Sequence, residues 1–240
     1  MTWSIVARDA GSGAFGVAVA TKFFAVGALC PFARSGVGAL ATQALVNPTY
    51  GGKGLAMLEA GESAEAALAT LIAGDAGRAT RQVHAIDARG RIAAHTGSDC
   101  VAWCGHLIGN GFSVAGNMLA GPRVIEATAE AYRGGADLPF AARLIAGLEA
   151  GEAAGGDKRG KQSAALLIHA GEDYPWLDLR VDDHPEPLQE LRRLYDESRR
   201  SYLPFLHFLP SRANPSGIHD RARIEAELPG IRDALERRGG

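Results

Sequence analysis

The chain has 240 residues, a formal net charge of −2 and an apolar fraction of 47%, which excludes a disordered chain. Its 25 basic and 27 acidic residues create no overall field to attract nucleic acid or anionic lipid. No apolar run reaches the ~20 residues of a membrane span. The opening MTWSIVARD lacks the basic and long apolar regions of a signal peptide, and three cysteines cannot all pair, so the expected setting is a reducing cytoplasm.

Residues 3–8 alternate in the manner of a half-buried strand, and residues 14–20 read as its antiparallel partner across a DAGSG turn. Gly11-Ser12-Gly13-Ala14-Phe15-Gly16 matches the dinucleotide pattern GxGxxG. That motif needs a helix after it, and here a strand follows, so these glycines are read as turn formers. Residues 37–44 form a third strand candidate, followed by an Asn47-Pro48-Thr49-Tyr50-Gly51-Gly52 loop. Helices are expected over 53–60 and 63–73, the second with Ser63 as N-cap and Gly74 as its stop.

Strands follow over 81–87, 91–95 and 112–115, then helices over 121–132 and 138–150. A glycine-rich loop over 151–161 leads into strands over 163–169 and 176–181. The remainder is charged and helical in pattern, broken by Pro204, Pro210, Pro215 and Pro229. Hairpins on either side of helical pairs imply antiparallel sheets with helices outside, a layered α+β architecture.

Thr2 is a candidate nucleophile by position. Removal of Met1 would leave its hydroxyl and its own α-amine on one residue, and that amine, with a pKa near ~7.7–8.0, can take the hydroxyl proton at neutral pH. The run from TWSIVARDAG to VNPTYGGKG, together with GNMLAGPRV at 116–124, GDKRGKQSAALLI at 156–168 and DLRVDDHPEP at 178–187, resembles an uncharacterised bacterial family of Ntn-hydrolase-like proteins, domain of unknown function 1028. The resemblance spans roughly residues 2–190. It implies a four-layer αββα sandwich of Ntn-hydrolase type, two antiparallel sheets between helical layers, over residues 1–190; the charged, helical pattern of residues 191–240, outside the resemblance, is read as a helical C-terminal extension. In that superfamily the nucleophile begins the first strand, where Thr2 stands.

Lys22 ends the strand expected to pair with that of Thr2, where an ammonium would hold down the amine's pKa. Gly116 and Asn117 could supply the donors that hold a developing oxyanion. Thr42, Gln43 and Asn47 could line the same mouth. In the loop before the strand at 163–169, Arg159 could clamp a substrate carboxylate, with Gln162 beside it. Cys100, Cys104 and His106 lack a fourth zinc ligand, and Asp178, Asp182 and Asp183 are read as partners of arginines, so no metal is expected.

The expected function is hydrolysis of a C–N bond (amide, lactam or cyclic imine, not a standard peptide bond) in a small polar metabolite. The alternative is a catalytically idle Ntn-type fold that binds a ligand or serves assembly. No cofactor is expected. The expected partners are a small-molecule substrate and further copies of the chain in a homo-oligomer.

Overall fold

Strand β1 (Thr2–Arg8) alternates between two environments. Ser4 and Val6 face a second sheet, while Trp3 faces helices, since a Cβ on Gly151 would lie 2.8 Å from its Nε1. Strand β2 (Phe15–Thr21) pairs antiparallel with β1, from Trp3↔Ala20 to Arg8↔Phe15. Asp9 closes the hairpin: its N–H donates to Ala14 O at 2.8 Å and its carboxylate accepts the Ser12 N–H at 2.8 Å. A strand, not a helix, follows the GxGxxG pattern.

The computed structural model describes residues 2–237, with ten strands and seven α-helices among them. The chain divides into one unit through Leu191 and another from Arg192. In the first unit, β3 (Pro31–Arg34), β4 (Gly38–Ala44), β5 (Arg81–Asp87) and β6 (Ile92–Thr96) form a four-stranded antiparallel sheet in that order. With β7 (Gly105–Gly109), β8 (Phe112–Asn117), β9 (Ser163–His169) and β10 (Leu177–Val181), the other sheet runs β10-β9-β2-β1-β8-β7, also antiparallel. Strand β1 is therefore interior to its sheet, flanked by β2 and β8.

The two sheets pack on each other through Val6, Phe15, Val17, Val19 and Ala165 against Ala39, Ala41 and Ile86. Helices α1 (Thr49–Glu59) and α2 (Ala64–Ala73) cover the four-stranded sheet through Leu55, Leu58, Leu68 and Leu71 on Leu40, Val83 and Ala85. Helices α3 (Arg123–Gly134) and α4 (Phe140–Ala153) lie on the six-stranded sheet. Gly16 admits α4, because a Cβ there would come within 2.6 Å of Leu144. No helix among the described residues is long and apolar enough to cross a membrane.

Three differences from the sequence reading have local causes. Helix α1 begins inside the expected 47–52 loop, because Asn47 Oδ1 accepts the Thr49 N–H and hydroxyl and so starts the turn. Gly51 is a packing residue there, since a Cβ would lie 2.2 Å from the Phe32 ring. Strands β3 and β7 were not expected. They are edge strands of four and five residues opening or closing on Pro or Gly, too short for a period to show in the sequence.

Helix α5 (Pro187–Arg200) spans the division between the units, and the second unit continues through α6 (Tyr202–Leu206) and α7 (Arg221–Arg237). Pro204 and Pro229 do not break helices as expected. Pro204 sits in the first turn of α6, where an N–H has no intrahelical partner in any case. Pro229 lies within α7, whose first half carries the i,i+4 pairs Arg221–Glu225 and Arg223–Glu227.

Candidate functional site

Thr2 opens β1 and reaches a cleft of about 320 Å³, lined also by Phe23, Val26, Leu29, Leu45, Val46 and Arg159. Thr42 and Gln43 form part of its floor. The hairpin register decides Thr2's neighbour. One step beyond Trp3↔Ala20 stands Thr21, and its Oγ1 lies 3.1 Å from Thr2 Oγ1. Lys22 is exposed, and its Nζ donates to Lys161 O at 3.1 Å. The residue opposite Thr2 on β2 is thus Thr21, not Lys22, because a shift of one position in a strand turns a side chain to the other face.

On the other side of β1, Thr2 pairs with Asn117. Asn117 is 1% exposed and donates to Gln82 Oε1 at 3.0 Å, with Thr2 O at 3.5 Å. Gly116 lies within β8 rather than after it, and its carbonyl accepts from Gln82 Nε2 at 2.8 Å. A Cβ on Gly116 would meet Leu119 at 2.5 Å and Ile125 at 3.2 Å, so its open side faces α3.

Behind Thr2 the sheets are joined by a buried polar network. Gln82 Oε1 accepts from Gln43 Nε2 at 2.9 Å, while Gln82 Nε2 also lies 2.9 Å from Thr96 Oγ1 and 3.0 Å from Gly105 O. Gln43 donates further to Ala115 O and accepts the Ser4 hydroxyl at 2.7 Å. Ser4 Oγ is also 2.8 Å from His84 Nε2, and His84 Nδ1 is 3.0 Å from Ser113 Oγ. With the Ser4 proton committed to Gln43, the consistent tautomer has His84 Nε2–H donating to Ser4 and Nδ1 accepting from Ser113.

A serine 2.8 Å from a histidine has the spacing of a nucleophile and its base. Both residues are fully buried, however, and burial pushes the imidazole down to about 3, aided by the charge of His106. This pair binds the sheets together and meets no substrate. Sequence reading missed Ser4, Gln82 and His84 as a set, because the signal available, polar residues at inward positions of β1 and β5, gives no pairing between distant strands.

The remaining candidates separate. Asn47 faces away from the Thr2 cleft, donating to Asp75 Oδ2 at 3.2 Å and lining a different pocket with Tyr50 and Lys53. Asp75 also accepts from Tyr50 Oη at 2.8 Å and Arg81 Nε at 2.8 Å, and these donors hold its carboxyl well below the usual range. Arg81 in turn donates to Leu45 O, so this cluster ties down one wall of the Thr2 cleft. Gln162 donates to Asp183 Oδ1 and is not part of the cleft lining. Arg159 is part of it, held by Asp157, whose Oδ1 and Oδ2 accept from Arg159 N and Nη2 at 2.8 and 3.2 Å.

Asp157 Oδ2 also accepts the Lys22 N–H at 2.8 Å, and Gln162 N donates to Thr21 O at 3.0 Å. The glycine-rich loop is therefore fastened to the end of β2 on both sides of Arg159. Cys100 and Cys104 donate to Arg81 O and Cys100 O, and His106 Nδ1 meets Thr96 Oγ1. No group of three metal-ligating side chains occurs among the described residues.

The family model of a family of unknown function, DUF1028, matches residues 2–191. A comparison with curated proteins finds no match. Among solved structures, the crystal structure of a protein from Silicibacter pomeroyi, described with the same DUF1028 family model, is 34% identical with a TM-score of 0.85. The similarity covers 92% of this chain and 96% of that one.

Proposed function

The chain belongs to DUF1028, and from that membership and the placement of Thr2 we propose that it is an N-terminal-nucleophile hydrolase acting on a C–N bond of a small molecule. The observation that carries the reading is that Thr2, at the start of an interior strand, opens onto a cleft of about 320 Å³. Helix pairs outside two facing antiparallel sheets support it, being the αββα order of Ntn-type hydrolases. So does backbone strain. Ala44, on the cleft wall, has φ 69°, Met118, after Asn117, has φ 55°, and Ala25, before the cleft residue Val26, has φ 52°. Each left-handed non-glycine residue costs roughly 1–2 kcal/mol, and such residues gather at functional sites.

In this mechanism Met1 is removed and the neutral Thr2 amine takes the proton from Thr2 Oγ. The oxygen attacks the amide or lactam carbon, and its lone pair forms the C–O bond while the carbonyl oxygen takes the negative charge. The amine then returns the proton to the leaving nitrogen as the C–N bond breaks. Water attacks the resulting ester, losing its proton to the amine, which returns it to Thr2 Oγ as the acyl C–O bond breaks and the carboxylic acid leaves. The Thr21 hydroxyl, 3.1 Å from Thr2 Oγ1, orients the nucleophile. The chemistry asks for no metal or organic cofactor.

A second reading, ligand binding without turnover, draws on the low exposure of Thr2, 7%. Intact-mass measurement of the protein purified from its own cells separates the two. Hydrolysis requires loss of Met1 and a Thr2 that is labelled by a carbonyl electrophile such as a β-lactone. Retained Met1, or equal labelling in Thr2→Ala, would overturn the hydrolase reading.

A further inference from the structure

The walls of the Thr2 cleft are more selective than its nucleophile. Phe23 and Leu45 line it while remaining 52% and 64% exposed, and Val26, Leu29, Cys30 and Val46 complete an apolar surface. Its other polar side chains are already engaged. Thr42 Oγ1 donates to Asn47 O at 3.3 Å, and Gln43 is bonded at both ends of its amide. Arg159 is the one charged side chain lining the cleft among the described residues.

Arg159 is paired with Asp157, yet the pair is asymmetric. The Asp157 side chain is 1% exposed and that of Arg159 is 40% exposed. A ligand entering the cleft therefore meets the guanidinium, while the balancing carboxylate lies behind it against the backbone of Lys22 and Arg159. A guanidinium held on one side by a buried carboxylate is pre-set in orientation, which favours a planar anion over a spherical one.

We infer that the cleft takes a carboxylate-bearing amide with an apolar acyl body, an N-acyl amino acid or its lactam counterpart. The carboxylate would face Arg159, the acyl chain would lie on Phe23, Leu45 and Val46, and the amide carbon would come to Thr2. A volume of about 320 Å³ sets the size, at roughly ten to twelve non-hydrogen atoms when each occupies about the ~30 Å³ of a water in the liquid. Apolar walls with a few placed polar groups are the usual composition of a small-molecule site. The position of the scissile bond rests on the hydrolase reading; the choice of ligand class rests on the walls and on Arg159 alone.

Calorimetric titration of the full-length Thr2→Ala protein tests the class without turnover. N-hexanoylglycine is expected to bind at least tenfold more tightly than N-acetylglycine, because its four extra methylenes leave water. It should also bind at least tenfold more tightly than the uncharged N-hexanoylglycinamide. Arg159→Gln should erase the preference for acid over amide, Arg159→Lys should retain part of it, and Leu45→Ser should weaken the preference for the longer chain. Equal affinity for acid and amide, equal affinity for both chain lengths, or no binding by any of the three overturns the inference. Incubating the processed wild-type protein with N-hexanoylglycine then reads glycine release separately. The binding pattern without release would sink the hydrolase reading and leave the ligand class standing. Hydrolysis of other amides without the binding pattern would do the reverse.

Discussion

Thr2 Oγ1 and Thr21 Oγ1 lie 3.1 Å apart across the β1–β2 hairpin, two hydroxyls at the ends of neighbouring strands with one facing the cleft. A hydroxyl at this distance can hold the oxygen of the proposed nucleophile in a single rotamer while its proton leaves.

Thr21→Val keeps the shape of the side chain and removes that oxygen. Turnover by the processed protein should fall about tenfold, equivalent to one hydrogen bond of ~1.4 kcal/mol, and Thr21→Ser should restore most of it. Thr2→Ala should abolish turnover with the fold unchanged by circular dichroism. Full activity in Thr2→Ala would remove the nucleophile from the mechanism.

Gln82 contributes to stability well beyond its size. Its amide is fully buried and bridges Gln43, Asn117, Thr96 and the carbonyls of Gly105 and Gly116. Gln82→Ala would strand several buried donors and acceptors, each costing about 1–3 kcal/mol. Urea denaturation should show a loss of about 3 kcal/mol or more. A loss under 1 kcal/mol would mean the network is dispensable.

His84 makes stability depend on pH. Burial holds its imidazole at about 3 in the folded chain, whereas an unfolded histidine titrates near ~6.5. Between those values the unfolded chain binds the extra proton, so acidification favours unfolding by about 1.4 kcal/mol per pH unit for this one group. Burial also shifts His106 and His169 downward, and both contribute in the same direction. The stability lost between pH 6.5 and pH 5 should be about 1.6 kcal/mol smaller in His84→Gln than in the wild type. Equal losses would assign the effect to the other histidines.

The three thiols should differ in reactivity. Cys30 is 2% exposed, and burial pushes its thiol up to about 12; burial raises Cys100 as well. Only the thiolate attacks an alkylating agent. Brief iodoacetamide treatment at pH 8 should therefore add one label to the folded chain, at Cys104, and three after denaturation. Native labelling of Cys30 would show that the cleft opens to its floor.

Much of the element order is local information. Alternation over residues 3–8, the Ser63 cap, and the apolar face of the helix that contains Ile145 and Leu148 each lie within a single stretch of chain, and the structure carries β1, α2 and α4 there. The long opening run to VNPTYGGKG, taken together with GNMLAGPRV, GDKRGKQSAALLI and DLRVDDHPEP, likewise marks the family over nearly the same residues that its model matches. These signals survive because periodicity and capping depend on neighbours a few positions away.

What tertiary structure decided is which distant residues meet. The hairpin register gave Thr2 the neighbour Thr21 instead of Lys22, a difference of one position that no composition or period encodes. Packing of the two sheets turned Asn117 and Gln82 toward each other and enclosed Ser4 with His84, while packing on the α3 side left Gly116 against Leu119 and Ile125. It also sent Asn47 to Asp75 and brought Arg159, from a loop more than 150 residues away in the chain, into the cleft of Thr2. Such contacts are set by how layers close over one another, and that information is spread across the whole chain rather than held in any one segment.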